Sequence, residues 1–67
     1  MISITLNGDP ESIQDDATVH DLLERLELTG KRIAVEVNRE IIPRSLHLTT
    51  ALKDGDQVEI VNAIGGG

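Results

Sequence analysis

The sequence contains no cysteine, phenylalanine, tyrosine or tryptophan, and its 67 residues include only two histidines and six lysine or arginine residues. Each shortage closes a route. Without thiols there is no disulfide staple and no cysteine nucleophile, and the composition is silent about redox compartment. His20 and His47 do not form a clustered ligand pattern, so no metal site is expected. Without aromatic rings there is no platform on which bases could stack. Twelve acids against six bases, a formal net charge of -6, also set the surface against a phosphate backbone. Nucleic acid is therefore not an expected partner, whereas a basic protein surface is favoured by complementary potential. No apolar run exceeds three residues. The sequence thus offers neither a membrane span nor a signal-peptide core, and the expected location is the cytoplasm.

The residues present, 39% hydrophobic and 27% charged, describe one small domain that folds unaided. A domain of this size buries only roughly 60% of the surface of its unfolded chain, and its core has to be built from Leu, Ile, Val and Ala. Ile2, Ile4 and Leu6 alternate with Ser3 and Thr5, which predicts a half-buried strand. Asn7-Gly8 suits a tight hairpin turn. The return strand is expected over Glu11 to Gln14, with Ile13 inward and Pro10 marking a sheet edge. Thr18 reads as a helix N-cap with Asp21 as its capping-box partner. Val19, Leu22, Leu23 and Leu26 then form one apolar stripe, predicting a helix over about 19 to 28 that stops at Gly30. A third strand follows at Ile33 to Val37, then an Asn38-Arg39 turn and a short apolar stretch, Glu40 to Ile42, ended by Pro43. A helical turn is expected at Ser45 to Leu48, with Leu46, Leu48 and Leu52 in satellite core contacts. Asp54-Gly55-Asp56 is a turn, and Gln57 to Asn62 the last strand, with Val58 and Ile60 inward and Glu59 and Val61 outward. The order predicts an α+β fold of the β-grasp, ubiquitin-like type. It is a roll with a mixed sheet of four to five strands and one main helix packed on one face. Residues 1-62 form the domain and 63-67 a flexible glycine tail.

No catalytic constellation is present: there is no phosphate-cradling glycine loop followed by lysine and no HExxH helix. His20 reads as an exposed residue of the first helical turn and His47 as a loop residue. Asp15-Asp16 is a solvated loop before the N-cap, and Asp54-Gly55-Asp56 lacks the further acids of a calcium loop. One feature stands apart. Half of the six glycines are the last three residues, directly after the final core strand. Such an end can simply fray. Glycine, however, has no Cβ and tolerates almost any φ, so Ile64, Gly65, Gly66 and Gly67 suit a tail that threads a narrow channel. At ~3.3 to 3.6 Å per extended residue, Ala63 to Gly67 would carry the α-carboxylate about 17 Å from the domain.

Several segments resemble the ThiS family of ubiquitin-like sulfur carriers in thiamine biosynthesis. They are the helix start Thr18-Val19-His20-Asp21-Leu22-Leu23, the run Asn38-Arg39-Glu40-Ile41-Ile42-Pro43-Arg44, Asp54-Gly55-Asp56-Gln57-Val58, and the tail Ala63-Ile64-Gly65-Gly66-Gly67. Together they span nearly the whole chain, and the Asn…Ile-Pro-Arg run is the most specific. One departure is the third glycine, Gly65, where other members carry alanine.

The resemblance implies a mechanism. A ThiF-like adenylating enzyme, using ATP and magnesium, would couple the Gly67 carboxylate to AMP. Sulfur from a persulfide donor would displace the AMP, and a ThiG-like thiazole synthase would consume the resulting thiocarboxylate. The chain would then be a carrier, monomeric when free and binding no cofactor of its own. Val61 and Ala34 point away from the core residues beside them and mark a partly apolar face for docking the adenylating enzyme. Three other readings fit the same tail. A MoaD-like carrier for molybdopterin would be expected to show aromatic or proline-rich residues before its Gly-Gly. A ubiquitin-like modifier would form isopeptides with lysines. A passive binding module would tolerate loss of Gly66 and Gly67.

Overall fold

The period-two segments pair into a sheet and the amphipathic segment lies across one of its faces. The computed structural model describes residues 1-62. The elements run β1 (Ile2–Leu6), β2 (Asp9–Ile13), α1 (Val19–Arg25), β3 (Ile33–Val37), β4 (Glu40–Ile41), a 3-10 turn (Arg44–Leu46) and β5 (Gln57–Asn62). The five strands form one sheet in the order β2-β1-β5-β3-β4. β1 and β5 run parallel at its centre, and every other pair is antiparallel. This is the mixed sheet with one helix that the element order implies.

Both turns that join neighbouring strands rest on left-handed backbone. Asn7 and Gly8 have φ of 49° and 89°, and Asn38 and Arg39 have 52° and 70°. Positive φ at both central positions matches the right-handed twist of the flanking strands. β2 begins at Asp9, two residues before the sequence expectation. Pro10 is accommodated because it sits opposite Thr5 on the outermost strand, where no outer neighbour needs its missing N–H.

Thr18 and Asp21 close a reciprocal capping box. The Thr18 hydroxyl accepts from the Asp21 N–H at 3.1 Å, and the Asp21 carboxylate accepts from the Thr18 N–H at 2.9 Å. The bond from the Thr18 N–H, helped by the Thr18 hydroxyl, holds the exposed Asp21 carboxyl below the usual aspartate range. Two further N–H groups of the first turn, those of Val19 and His20, donate to the carbonyls of Thr50 and His47, so a distant loop completes the cap.

The helix ends at Arg25, earlier than expected, and Gly30 is not its stop. Glu27 takes the left-handed conformation at φ 59°, its N–H donates to the Glu24 carbonyl, and the Leu28 N–H donates to that of Leu23. That is a Schellman motif with glutamate where glycine is commonest.

Ile4, Ile13, Val35, Val37 and Val58 from the sheet meet Val19, Leu22 and Leu23 from α1 in a single core, with Leu52 from the loop before β5. Leu46 and Leu48, expected to pack against this core, are instead 48% and 68% exposed. The 3-10 turn aims the loop's carbonyls at the start of α1, which brings His47 and Leu52 inward and leaves Leu46 and Leu48 outside. His47 is correspondingly buried, not a free loop residue, with its Nε2 3.0 Å from the Ile42 carbonyl. His20 is half-buried and faces Glu24 at 3.7 Å.

Candidate functional site

Strand β5 leads directly into the residues singled out in the tail, and it is paired on both sides. On one side it pairs with β3 over five positions, from Ile33↔Asn62 to Val37↔Val58. On the other it pairs with β1, where the Thr5 N–H donates to the Asp56 carbonyl and the Asn7 N–H to that of Val58, both at 2.9 Å. β1 then turns away at Asn7-Gly8 while β5 continues. The Asn7 side chain takes over: its Oδ1 accepts from the Ile60 N–H at 2.8 Å and its Nδ2 donates to the Ile60 carbonyl at 3.2 Å. The amide stands in for one more strand residue and carries the sheet edge toward the tail root.

Asn38 does the same at the opposite end of β5. Its Oδ1 accepts from the Gln57 N–H and its Nδ2 donates to Asp56 Oδ1, each at 3.0 Å. The loop before β5 is also stapled to β1. The Ser3 N–H donates to the Asp54 carboxylate at 2.8 Å, and the Gly55 N–H to the Ser3 carbonyl at 2.7 Å. An arm that has to present a reacting group benefits from a rigid mount. Sequence reading recognised Asn7 and Asn38 only as turn residues. Their second role depends on contacts across 53 and 19 residues of chain, for which a local pattern carries no signal.

The sheet face away from α1 carries the other candidate residues. Ala34 and Val61 are directly opposed across β3 and β5, with Val61 54% exposed and Ala34 half-buried. The next row on the same face is Ile41, Glu36 and Glu59, set side by side across β4, β3 and β5. Ile41 is 68% exposed, and neither carboxylate is in a salt bridge among the described residues. Two glutamates directly opposite one another repel. The face therefore combines exposed aliphatic surface with uncompensated negative charge, a combination complementary to an apolar patch rimmed by cations. Glu36, Glu59 and Ile41 were not singled out from the sequence, although alternation within the strands places them beside Ala34 and Val61.

The tail candidates Ile64, Gly65, Gly66 and Gly67 lie outside the described residues. Among the described residues no group of three His, Asp or Glu side chains is placed to hold a metal ion, and no helix is long and apolar enough to cross a membrane.

Comparison with known proteins agrees with this architecture. The model of the ThiS family matches residues 4-67. The sulfur carrier protein ThiS of Bacillus subtilis is 40% identical over 65 residues, covering 96% of this chain and 98% of its own length. A thiazole synthase of Paramagnetospirillum magneticum is 39% identical over 66 residues, which are 98% of this chain but only 20% of that protein. In the crystal structure of the thiamine biosynthesis protein ThiS from Geobacter metallireducens, the same fold recurs with a TM-score of 0.86 at 33% identity, covering 98% of this chain and all of the other. A family match that runs from the middle of β1 through the helix, the other four strands and the glycine-rich end leads to one conclusion: the chain belongs to the ThiS family, the β-grasp sulfur carriers of thiamine biosynthesis.

Proposed function

We infer that the chain carries sulfur for thiazole formation on the α-carboxylate of Gly67. The observation that carries this reading is the family match running from Ile4 through Gly67, joined to a domain whose last described strand is clamped from both sides. A resting carboxylate is a poor electrophile, so it has to be activated. One of its oxygens attacks the α-phosphorus of ATP in a ThiF-like enzyme that supplies magnesium, and pyrophosphate leaves. The terminal sulfur of a persulfide then attacks the acyl carbon and AMP departs, giving an acyl disulfide. A thiol attacks the donor's sulfur of that disulfide, leaving a new disulfide and the Gly67 thiocarboxylate. This product is ionised and nucleophilic at neutral pH. A thiazole synthase is its consumer, a reading supported by the relative of that name whose chain includes a stretch like this one.

The chain contributes recognition and reach, while catalysis belongs to its partners in the cytoplasm. The open face around Ala34 and Val61 docks the adenylating enzyme. The absence of cysteine fits this role, because no internal thiol competes for the activated acyl group.

Intact mass tests the reading. Incubated with its adenylating enzyme, ATP, magnesium and a persulfide source, the chain is expected to gain the mass of one oxygen-to-sulfur exchange, mapped to Gly67. Gly66→Val is expected to block the gain with the fold intact, since a β-branched side chain stiffens and widens a strand that threads a channel. Sulfur on a side chain, or normal modification of Gly66→Val, would overturn it.

A further inference from the structure

A second surface with different chemistry lies on the helix side of the tail root. A groove of about 250 Å³ opens between the end of α1, the loop that follows it and the 3-10 turn. Leu23, Leu28, Ile33 and Leu48 provide its apolar lining, and Lys31 and Arg44 its permanent charges. Ile33 pairs with Asn62, so the groove adjoins the point where β5 hands over to the tail. In a chain of net charge -6, two of the six permanent cations thus line one small groove. Neither is in an ion pair among the described residues. The Arg44 guanidinium donates to the Lys31 backbone carbonyl at 3.4 Å, which ties the 3-10 turn to the loop that follows α1. Among the described residues, the only carboxylate paired with a lining residue is Glu24, which faces His20 and not the two cations. Leu48, 68% exposed, leaves a leucine-sized apolar surface at the rim.

We propose that this groove docks an acidic, amphipathic segment of an enzyme that takes the tail, seating one apolar side chain over Leu48 and carboxylates at Lys31 and Arg44. The proposal rests on the carrier reading. The volume admits a side chain or two, smaller than the ~300 to 1,000 Å³ of small-molecule pockets, which favours a protein segment over a cofactor. The charge selects its sign. A partner segment rich in acids would be repelled by the open face, where Glu36 and Glu59 stand, and attracted here. The two surfaces flank the tail root on opposite sides of the sheet, so an enzyme reading the groove distinguishes the two sides of the carrier and fixes the direction in which the tail enters.

The test uses the full chain with both its adenylating enzyme and its thiazole synthase. Affinities are measured at low and high salt for wild type, for the double reversal Lys31→Glu, Arg44→Glu, and for Leu48→Asp. These positions are exposed, so folding is expected to survive, and an amide spectrum checks it. With at least one of the enzymes, the double reversal is expected to weaken binding about tenfold or more and to flatten its salt dependence. Leu48→Asp is expected to weaken the same complex, through the lost apolar contact and the added carboxylate facing an acidic segment, and to flatten the salt slope less than the double reversal does. Unaltered affinity of both variants for both enzymes, or tighter binding by the double reversal, would overturn the groove. Failure of the carrier reading is seen separately: wild type would gain no sulfur at Gly67 even where it binds.

Discussion

The two faces of the sheet are made by the same five strands and have opposite characters. Toward α1, Ile4, Ile13, Val35 and Val58 are each no more than 3% exposed. Away from it, Ala34 and Val61 sit beside Glu36 and Glu59, and among the described residues no layer covers them. Alternation along each strand does the sorting, since successive side chains point to opposite sides. One face supplies nearly all the buried apolar area available to a chain without aromatics or disulfides, and the other is left free for recognition. Substitutions on the first face are therefore expected to read as folding defects, and on the second as binding defects.

The largest expected effect tests the packed face. Leu22 is 2% exposed at the centre of the contact between α1 and the sheet. Leu22→Ala removes that packing and leaves a cavity, at a cost of about 2 to 5 kcal/mol. At roughly 0.05 to 0.15 kcal/mol per residue, a domain this short has about 3 to 10 kcal/mol in total, so the loss takes about half of it. Denaturant titration is expected to find the midpoint of the variant shifted far below wild type. Near-wild-type stability would break the assignment of stability to this face.

Next comes the open face. Val61→Asp puts a third carboxylate beside Glu36 and Glu59 and removes exposed aliphatic surface. Its far-UV spectrum and melting point are expected to stay close to wild type, while affinity for the adenylating enzyme falls about tenfold. Unchanged affinity would remove Val61 from the interface, and a folding defect would erase the contrast between the faces.

Much of this contrast was legible in the sequence, because it depends on periodicity. The strand alternation, the Val19-Leu22-Leu23 stripe, the capping box and both asparagine turns were readable from neighbours a few residues apart. Where reading failed, longer contacts decided. The helix stops at Arg25, well short of Gly30, because Glu27 accepts a left-handed backbone and Leu28 reaches back to Leu23. Leu46 and Leu48 are as apolar as Leu52, yet only Leu52 packs inward. The choice is made by hydrogen bonds from the start of α1 to the His47 and Thr50 carbonyls. The clamping of β5 by Asn7 and Asn38 is invisible for the same reason. Strand alternation placed Ala34 and Val61 on the open face, whereas the opposition of Glu36 and Glu59 that gives that face its charge emerges only from the register between β3 and β5.

A smaller effect sharpens the comparison from the open side. Glu36 and Glu59 are opposed across β3 and β5, and like charges so placed cost roughly 0.2 to 1 kcal/mol. Glu59→Gln is expected to raise stability by that order, more at low salt than at high, and to slow association with a basic partner. The combination matters: a gain in stability with a loss in association rate would mark a face kept under repulsion for recognition. A loss of stability would show that the carboxylate has a compensating cation.

The smallest effect lies on the packed side, at the start of its helix. Asp21 is exposed, and its carboxyl is held below the usual range chiefly by the hydrogen bond from the Thr18 backbone N–H, with the Thr18 hydroxyl and His20 helping. A group whose pKa is lower folded than unfolded adds stability above its unfolded value of ~3.9 and loses it as pH falls through the folded value. Asp21→Asn keeps an oxygen that can accept from the Thr18 N–H, but it no longer titrates and no longer complements the positive end of the helix. At neutral pH the variant is expected to be slightly less stable than wild type. As pH drops below ~3.9 and through the lowered folded value, the wild-type advantage should shrink and the two acid limbs converge. Urea titrations at neutral and acid pH measure that difference directly. A gap that stays constant across the acid range would mean the capping box acts through hydrogen-bond geometry alone, and that the charge on Asp21 adds nothing to the anchoring of α1 on the sheet.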